Sequence, residues 1–287
     1  MDVLTLGHSE SITLDDTHWE ADLADPAHCA RLKTLKSFPD VVVHLAGRVH
    51  IALQPDPAGG RAPVPGPQVL TEIYAANVLA TAHLIDLCRH HRVRHLIFAS
   101  SQTIYGFPKV DRLSEDQPCR PIEHYALSKY CAEQMLERAT YSGLAATALR
   151  IPGVYGEARA QGLVYRLCND ALTKGRIEVR SEIALPLDVI HVEDVVSAML
   201  AATKRRPERW CVLNIATGES CSLDILADDV ARLVPGCNVV KGGVPQPQIA
   251  LDCTRARDWL RWQARPRSER LMQMLEALRN AARGAHA

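Results

Sequence analysis

Short apolar runs alternate with helix-patterned stretches along most of the chain, and this alternation limits its fold more than any other feature. Residues 3–6, 41–46 and 95–100 are continuously apolar strands, as expected where helices cover both faces of a sheet. Residues 145–151 and 211–215 have the same character, and we place the last run at the edge of a second lobe. The pattern predicts an α/β fold with a doubly wound parallel sheet.

Seven stretches around these strands have the pattern of helices. We predict helices near residues 26–37, 69–91, 125–141, 163–174, 193–204, 223–233 and 268–283. A chain of 287 residues is long enough for one large domain, or for one domain with a smaller appendage.

Charges and cysteines limit the partners and the compartment. Lys and Arg together number 33, as do Asp and Glu, so no net field favours nucleic acid or an anionic membrane. No run of about 18 apolar residues predicts a membrane span. Nine single cysteines without a Cys-x-x-Cys pair suit a reducing compartment, and we predict a cytoplasmic protein.

His90, His91 and His95 do not share a helical face, so we expect no metal site.

The stretch HYALSKY contains Tyr125 and Lys129, which lie four residues apart. Within a helix this spacing places both side chains on one face. A free phenol has a pKa near ~10, and a neighbouring ammonium group moves that pKa toward the neutral range because it stabilises the phenolate. Alone the pattern is weak, since a helical surface produces it by accident as well.

Three further stretches give this pair a context. ASSQTIYG ends a buried strand, which places Ser100 and Ser101 at the carboxyl edge where doubly wound sheets bind ligands. HLAG ends another strand with small residues, so a flat cofactor can approach the backbone there. LRIPGVYGE leaves a third strand through proline and glycine. His44, within the second of these strands, is expected to be a core histidine with a hydrogen-bond partner.

Together with NVLATAHLIDLC, DVIHVEDVVSAM and LNIATGESCSL, these stretches resemble the extended short-chain dehydrogenase/reductase family, in its nucleotide-sugar epimerase and 4-reductase branch. The resemblance runs from residue 3 to about residue 278. It implies a Rossmann-like, dinucleotide-binding core at 1–160. It also implies a small C-terminal α/β lobe at 161–287 that mainly binds substrate, with some segments returning to the core. NAD or NADP would be the cofactor, and the preference stays open.

The resemblance also implies residue roles. Tyr125 would be the general acid/base, Ser101 would orient the reacting oxygen, and Lys129 would stabilise the phenolate and hold the nicotinamide ribose. We expect Tyr125 within about 10 Å of Ser101. The other cofactor positions are Asp22, Leu23, Leu45, Ala46, Gly47, Asn77 and Pro152. The substrate positions are Gln102, Thr103 and Gly153. Asn77 has a second interpretation, in which it only satisfies backbone groups.

The sequence departs from the family's pattern at its start. The first strand and the glycine-rich turn that cradles the pyrophosphate are absent, so about thirty residues are expected before Met1. We therefore expect an N-terminally truncated sheet and impaired dinucleotide binding. Without its central strand a sheet has unpaired ladder groups. Three explanations stay open: an upstream start, a shortened chain, or a second strand that pairs elsewhere.

The predicted substrate positions depart from the pattern as well. Leu187 stands where an arginine often meets the substrate diphosphate, and Gly153 replaces an asparagine. Leucine and glycine lack the rigid fork with which arginine binds phosphate, so a nucleotide sugar is one candidate within a broader class of sugar-like substrates. Gln102 and Thr103 replace the acid–base pair of the family's dehydratases, which disfavours dehydration.

We therefore predict an NAD(P)-dependent epimerase or 4-keto reductase that acts on a sugar-like hydroxyl or ketone. The alternative is a non-catalytic scaffold or ligand-sensing relative that has lost dinucleotide binding. Similar proteins form a two-fold interface from two helices that here carry surplus apolar residues, so we also predict a homodimer. Those residues are Leu79, Leu84, Leu87, Tyr130 and Met135.

Overall fold

The computed structural model describes residues 3–49, 66–181 and 187–284. Two compact units emerge from the contacts within the chain. The first unit comprises Met1–Ile104, Cys119–Leu149 and Ala202–Val212. The second comprises Tyr105–Pro118, Arg150–Ala201 and Leu213–Ala287. The division into domains at residue 160 stays a prediction.

Thirteen strands and nine α-helices occur within the described ranges. The strands are β1 (Thr5–Gly7), β2 (Thr13–Leu14), β3 (His18–Glu20), β4 (Val41–His44), β5 (His95–Ser101), β6 (Arg112–Leu113), β7 (Ala145–Ile151), β8 (Gly153–Tyr155), β9 (Arg176–Ser181), β10 (Val189–His191), β11 (Trp210–Asn214), β12 (Asn238–Gly243) and β13 (Ala250–Leu251). The helices are α1 (Pro26–Leu32), α2 (Pro67–Tyr74), α3 (Ala80–His90), α4 (His124–Ala139), α5 (Leu163–Lys174), α6 (Val192–Thr203), α7 (Leu223–Arg232), α8 (Thr254–Leu260) and α9 (Arg267–Gly284). None of these helices is long and apolar enough to cross a membrane.

Four strands form the main sheet in the order β11-β7-β5-β4. β4 and β5 are parallel, with Val41 opposite His95 and His44 opposite Phe98. β5 and β7 are buried along almost their whole length, which explains why their sequences are continuously apolar. The predicted α/β class with a parallel sheet is therefore confirmed.

One strand placement differs from what the sequence predicted, and another agrees with an explanation that the sequence left open, a first strand of this chain that pairs elsewhere. The run at 211–215 was expected in a second lobe, but β11 is an edge strand of the main sheet beside β7. A short apolar run shows that a strand is buried but carries no information about which sheet receives it. β1 lies in a separate sheet of order β1-β3-β2, where it is parallel to β3.

Helix starts follow local capping chemistry. α1 begins at Pro26, whose missing N–H costs nothing in the first turn, and the Asp25 side chain accepts a hydrogen bond of 2.7 Å from the Ala27 amide. The Ser222 hydroxyl caps α7 in the same way, by accepting from the Ile225 amide at 3.2 Å. These ends could be read from sequence because the capping group lies beside the helix it starts.

The core of the first unit packs α1, α3 and α4 against the main sheet. Leu84 and Leu87, which we expected on a dimer surface, lie inside this core. That expectation was wrong for both residues, because α3 contacts α1 as well as α4 and so buries more than one stripe. Other members of the core are Leu32, Leu96, Phe98, Ala132 and Leu136.

In the second unit, one arginine holds the C-terminal helix. Arg270 of α9 donates two hydrogen bonds to the Asp194 carboxylate of α6, at 2.9 and 2.6 Å, and one of 2.5 Å to Glu193. The side chains of Arg270 and Asp194 are both buried. A bidentate pair of this kind fixes both the distance and the angle between the groups.

Arg270→Ala is expected to lower the free energy of unfolding by about 3–5 kcal/mol, because it leaves the buried Asp194 carboxylate without its partner. Denaturant unfolding followed by circular dichroism measures this change. Arg279→Ala is the matched control on the same helix, since the structure shows no ion pair for Arg279 among the described residues. Equal midpoints for the two variants would contradict the assignment.

Candidate active site

Tyr125 and Ser101 meet at the carboxyl end of β5. Ser101 is the last residue of that strand, and Tyr125 lies in the first turn of α4, which packs against β5. The Ser101 hydroxyl lowers the pKa of the Tyr125 phenol, so the two side chains lie close together, as expected. The Ser101 hydroxyl also accepts a hydrogen bond of 3.2 Å from the Thr103 amide and lies 3.0 Å from the Thr103 hydroxyl.

Lys129 lies one helical turn after Tyr125 and is 4% exposed. Its ammonium nitrogen donates a hydrogen bond of 2.9 Å to the Ala99 carbonyl and lies 4.6 Å from the centre of the Phe98 ring. Burial lowers the pKa of Lys129 to about 8, and the Glu133 carboxylate opposes that shift. Burial also raises the pKa of the Tyr125 phenol, while the nearby Ser101 hydroxyl lowers it.

Asn77 connects the loop after β4 to the first turn of α4. It lies in a π-helical turn, Ala75–Leu79, and is buried; such turns are frequent at functional sites. Its side chain accepts from the Arg48 amide at 2.7 Å and donates to the Arg48 carbonyl at 3.0 Å. It also donates to Ser128 at 2.8 Å, and Ser128 donates to the Tyr125 carbonyl at 2.7 Å. Asn77 thus satisfies backbone groups and supports the loop at once.

The residues that follow β4 form an exposed loop. Leu45, Ala46 and Gly47 are all exposed, as a ligand-lining segment requires. A methyl group on Gly47 would lie 2.9 Å from Asn77 Oδ1 and 3.2 Å from Lys129 Nζ. Glycine at this position therefore allows both side chains to approach the loop backbone.

Asp22 and Leu23 follow β3. Asp22 accepts a hydrogen bond of 2.8 Å from the Ala24 amide, and its own amide donates to His28 at 2.9 Å. The Leu23 side chain is buried in the core of the first unit, while its carbonyl lies 2.7 Å from His83 Nδ1. The Asp22 side chain can therefore contact a ligand. The buried Leu23 side chain cannot, so Leu23 could contact a ligand only through its backbone.

The expected substrate residues Gln102, Thr103 and Gly153 fall into two groups, and the expected cofactor residue Pro152 lies beside the second of them. Gln102 and Thr103 lie in a 3₁₀ turn, Gln102–Tyr105, directly after β5. The buried Oε1 of Gln102 has no hydrogen-bond partner in the structure as described. Pro152 and Gly153 belong to the second unit, where the Gly153 amide donates to the Asp188 carbonyl at 3.1 Å.

One acidic group near this site, Glu133, was not found from the sequence. Ser100 donates a hydrogen bond of 2.5 Å to the buried Glu133 carboxylate. The spacing of Glu133, four residues after Lys129, was the available signal. His44 is a buried core histidine as expected, 3.0 Å from the Thr81 hydroxyl, and burial lowers its pKa to about 3.

Known proteins share this arrangement of strands and helices over most of the chain. A UDP-glucose 4-epimerase from Lactobacillus helveticus is 26% identical over 296 residues, which cover 91% of this chain and 83% of that protein. A UDP-glucose 4-epimerase from Mycolicibacterium smegmatis is 27% identical over 275 residues, covering 91% of this chain and 82% of that protein. The solved structure of MoeE5 in complex with UDP-glucuronic acid and NAD has a TM-score of 0.72 and 26% identity. It covers 97% of this chain and 91% of the MoeE5 chain.

The family-level expectation from the sequence is confirmed by a direct match. Residues 2–216 match the family described as the NAD dependent epimerase/dehydratase family. Since this match spans well over half of the sequence, the chain belongs to the NAD-dependent epimerase/dehydratase family.

Proposed function

We propose that this chain is an NAD(P)-dependent epimerase or 4-keto reductase that acts on the hydroxyl or ketone of a sugar-like substrate. The observation that carries the proposal is the meeting of Ser101 and Tyr125 at the carboxyl end of β5, with Lys129 one helical turn away. A proton-transfer group, an orienting hydroxyl and a fixed positive charge suit the reversible oxidation of an alcohol. The relatives named as UDP-glucose 4-epimerases, and the MoeE5 complex with a UDP-sugar and NAD, support this chemistry.

Tyr125 is the group that moves the proton. When the substrate alcohol is oxidised, its O–H bond breaks and the proton passes to the Tyr125 oxygen. NAD(P), when bound, supplies the acceptance and return of a hydride. Ser101 can hold the substrate oxygen near the phenol, because a hydroxyl both donates and accepts hydrogen bonds. In an epimerase the same proton returns to the substrate, whereas a reductase refills Tyr125 from solvent.

Lys129 is proposed to make ionisation of the Tyr125 phenol easier. A buried phenol resists ionisation, as the raised pKa of Tyr125 shows, and a positive charge on the same helix face compensates for this. Since the pKa of Lys129 is about 8, its ammonium form predominates at neutral pH and is lost as the pH rises through that value. Proton transfer is therefore supported at neutral pH and weakens in alkaline solution.

The cofactor is proposed to follow the exposed loop Leu45, Ala46 and Gly47. The close approach of Lys129 and Asn77 to Gly47 fits a ligand that presents hydroxyl groups to this loop. Adenine contact by Asp22 and Leu23, and nicotinamide contact by Pro152, remain proposals from the family resemblance. The NAD or NADP preference is left open.

The substrate class follows from the polar groups after β5. The acceptor of Gln102, unpartnered among the described residues, fits a donor such as a sugar hydroxyl, and Thr103 lies in the same turn. A substrate role for Gly153 remains a proposal from the family resemblance. A nucleotide sugar is the finer proposal, supported by the UDP-sugar names of the relatives. We further propose a cytoplasmic location, because all nine cysteines are free thiols.

A homodimer is proposed from the apolar surface of the helices around the site. Leu79, in the π-helical turn before α3, is 44% exposed, and Leu127 of α4 is 39% exposed. Tyr130 and Met135 of α4 are partly buried. Isologous packing of such helices buries this surface in a closed two-fold assembly.

Tyr125→Phe is expected to lower kcat by about 10²–10⁴-fold, because it removes the transferred proton's acceptor and leaves the ring in place. The measurement is interconversion of UDP-glucose and UDP-galactose in the presence of NAD⁺. Tyr141→Phe, which removes an exposed hydroxyl of the first unit, is the control and should retain full activity. Unchanged turnover in Tyr125→Phe would remove the catalytic assignment.

Gly47→Ala is expected to lower kcat by up to about 10²-fold, because its methyl group displaces Asn77 and Lys129 from the loop. Gly66→Ala is the matched control, since a methyl group there meets no atom of the described residues within 4 Å. The same assay compares the two variants, and calorimetric titration with NAD⁺ separates an effect on binding from an effect on turnover. A Gly47→Ala protein that behaves like Gly66→Ala would show that the loop is not part of the site.

Light scattering of the purified protein at micromolar concentration is expected to give twice the 31.6 kDa chain mass. Leu127→Glu should shift the protein toward the monomer, because it places a charge in the proposed apolar interface. Met272→Glu changes an exposed apolar residue of α9 and should leave the dimer intact. A monomeric mass for the unmodified protein would contradict the proposal.

A further inference from the structure

Glu133 is a buried acid that the proposed chemistry does not use. It lies one helical turn after Lys129 on α4 and is only 1% exposed. A carboxylate in such a place is costly unless it is paired and hydrogen-bonded. Ser100 supplies one hydrogen bond, at 2.5 Å. The buried Glu133 carboxyl lies one helical turn from Lys129, which suggests that the two side chains act together.

Two adjacent serines divide the contacts between β5 and α4. Side chains of successive strand residues point to opposite sides, yet at this strand end both serines reach the helix. Ser101 lies near Tyr125 and lowers the pKa of its phenol, and Ser100 donates a hydrogen bond to Glu133. The hydroxyl of Ser100 therefore fixes the carboxylate in the same region of the sheet that receives the Lys129 ammonium group at Ala99.

Among the described residues, few other groups compensate for the burial of Lys129. On α4, Glu133 acts on Lys129 through its charge, and Tyr125 lies one helical turn before it. On β4 the neighbour is His44, whose pKa of about 3 leaves it neutral. β5 offers the Ala99 carbonyl and the Phe98 ring, which carry no net charge. Asn77 approaches from the π-helical turn and is neutral as well. Of these groups Glu133 is the one whose charge raises the pKa of Lys129.

We propose that Glu133, held by Ser100, is a positioning residue that keeps the Lys129 ammonium group charged and in place beside Tyr125. The inference rests on the proposed function only in that the protonated lysine is the form that serves Tyr125. Glu133 touches neither the reacting oxygen nor the phenol in this account. It acts through Lys129, because its charge offsets the cost that burial imposes on the ammonium group.

The test is the titration of Lys129 in the full-length protein without substrate, followed by NMR of isotope-labelled lysine side chains. Comparison with Lys129→Arg identifies the signal. Glu133→Gln keeps the shape of the side chain and removes its charge, so the Lys129 midpoint is expected to move to lower pH. Glu137→Gln removes a carboxylate one turn further along α4 and should leave the midpoint where it is.

An unmoved Lys129 midpoint in folded Glu133→Gln would overturn the proposal, since a purely structural role changes stability and not this titration. If Glu133→Gln does not fold, the coupling between Glu133 and Lys129 is measured by NMR in the unmodified protein instead. Coupled groups sense each other's titration, so the Glu133 carboxyl signal is expected to shift at the Lys129 midpoint. A flat Glu133 signal there would overturn the proposal. Neither measurement depends on turnover, so the outcome is separate from that of Tyr125→Phe.

Discussion

The Lys129 ammonium group is buried, and the groups packed around it in the first unit must compensate for its lost hydration. Removing a charge from water costs several kcal/mol unless other groups replace the lost hydration. The protein replaces it with the Ala99 carbonyl, the face of the Phe98 ring and the charge of Glu133. These groups come from β5 and from α4 itself, so the position of the helix along the strand is fixed by charge satisfaction as well as by apolar packing.

The loop after β4 passes close to the same ammonium group, at Gly47. A π-helical turn gives Asn77 a position from which its amide binds both backbone groups of Arg48 and also reaches Ser128. Because Ser128 is in turn bonded to the Tyr125 carbonyl, the loop and the first turn of α4 are joined through one side chain. Gly47 completes the arrangement, since a larger residue would occupy the space that Asn77 and Lys129 use.

Helices and short-range residue pairs were predicted, because their signals lie within a few residues of sequence. Strand pairing and side-chain contacts between distant parts of the chain were not predicted. The predicted helix at 163–174 has the bounds of α5, because its apolar spacing and its flanking glycines are local signals. β9 was missed although Ile177 and Val179 alternate with exposed residues, since its partner β12 lies about sixty residues later in the chain. At the site, Tyr125 and Lys129 could be paired from their spacing, whereas the bond from Ser100 to Glu133 joins residues that only the fold brings together.

Each compact unit is assembled from three separate stretches, and the chain passes from one unit to the other five times. A single cut anywhere in the sequence therefore cannot release an intact half. For the same reason, one recombination event cannot transplant a complete second unit onto a foreign first unit. Expression of either unit alone would therefore require three separate segments to be rejoined.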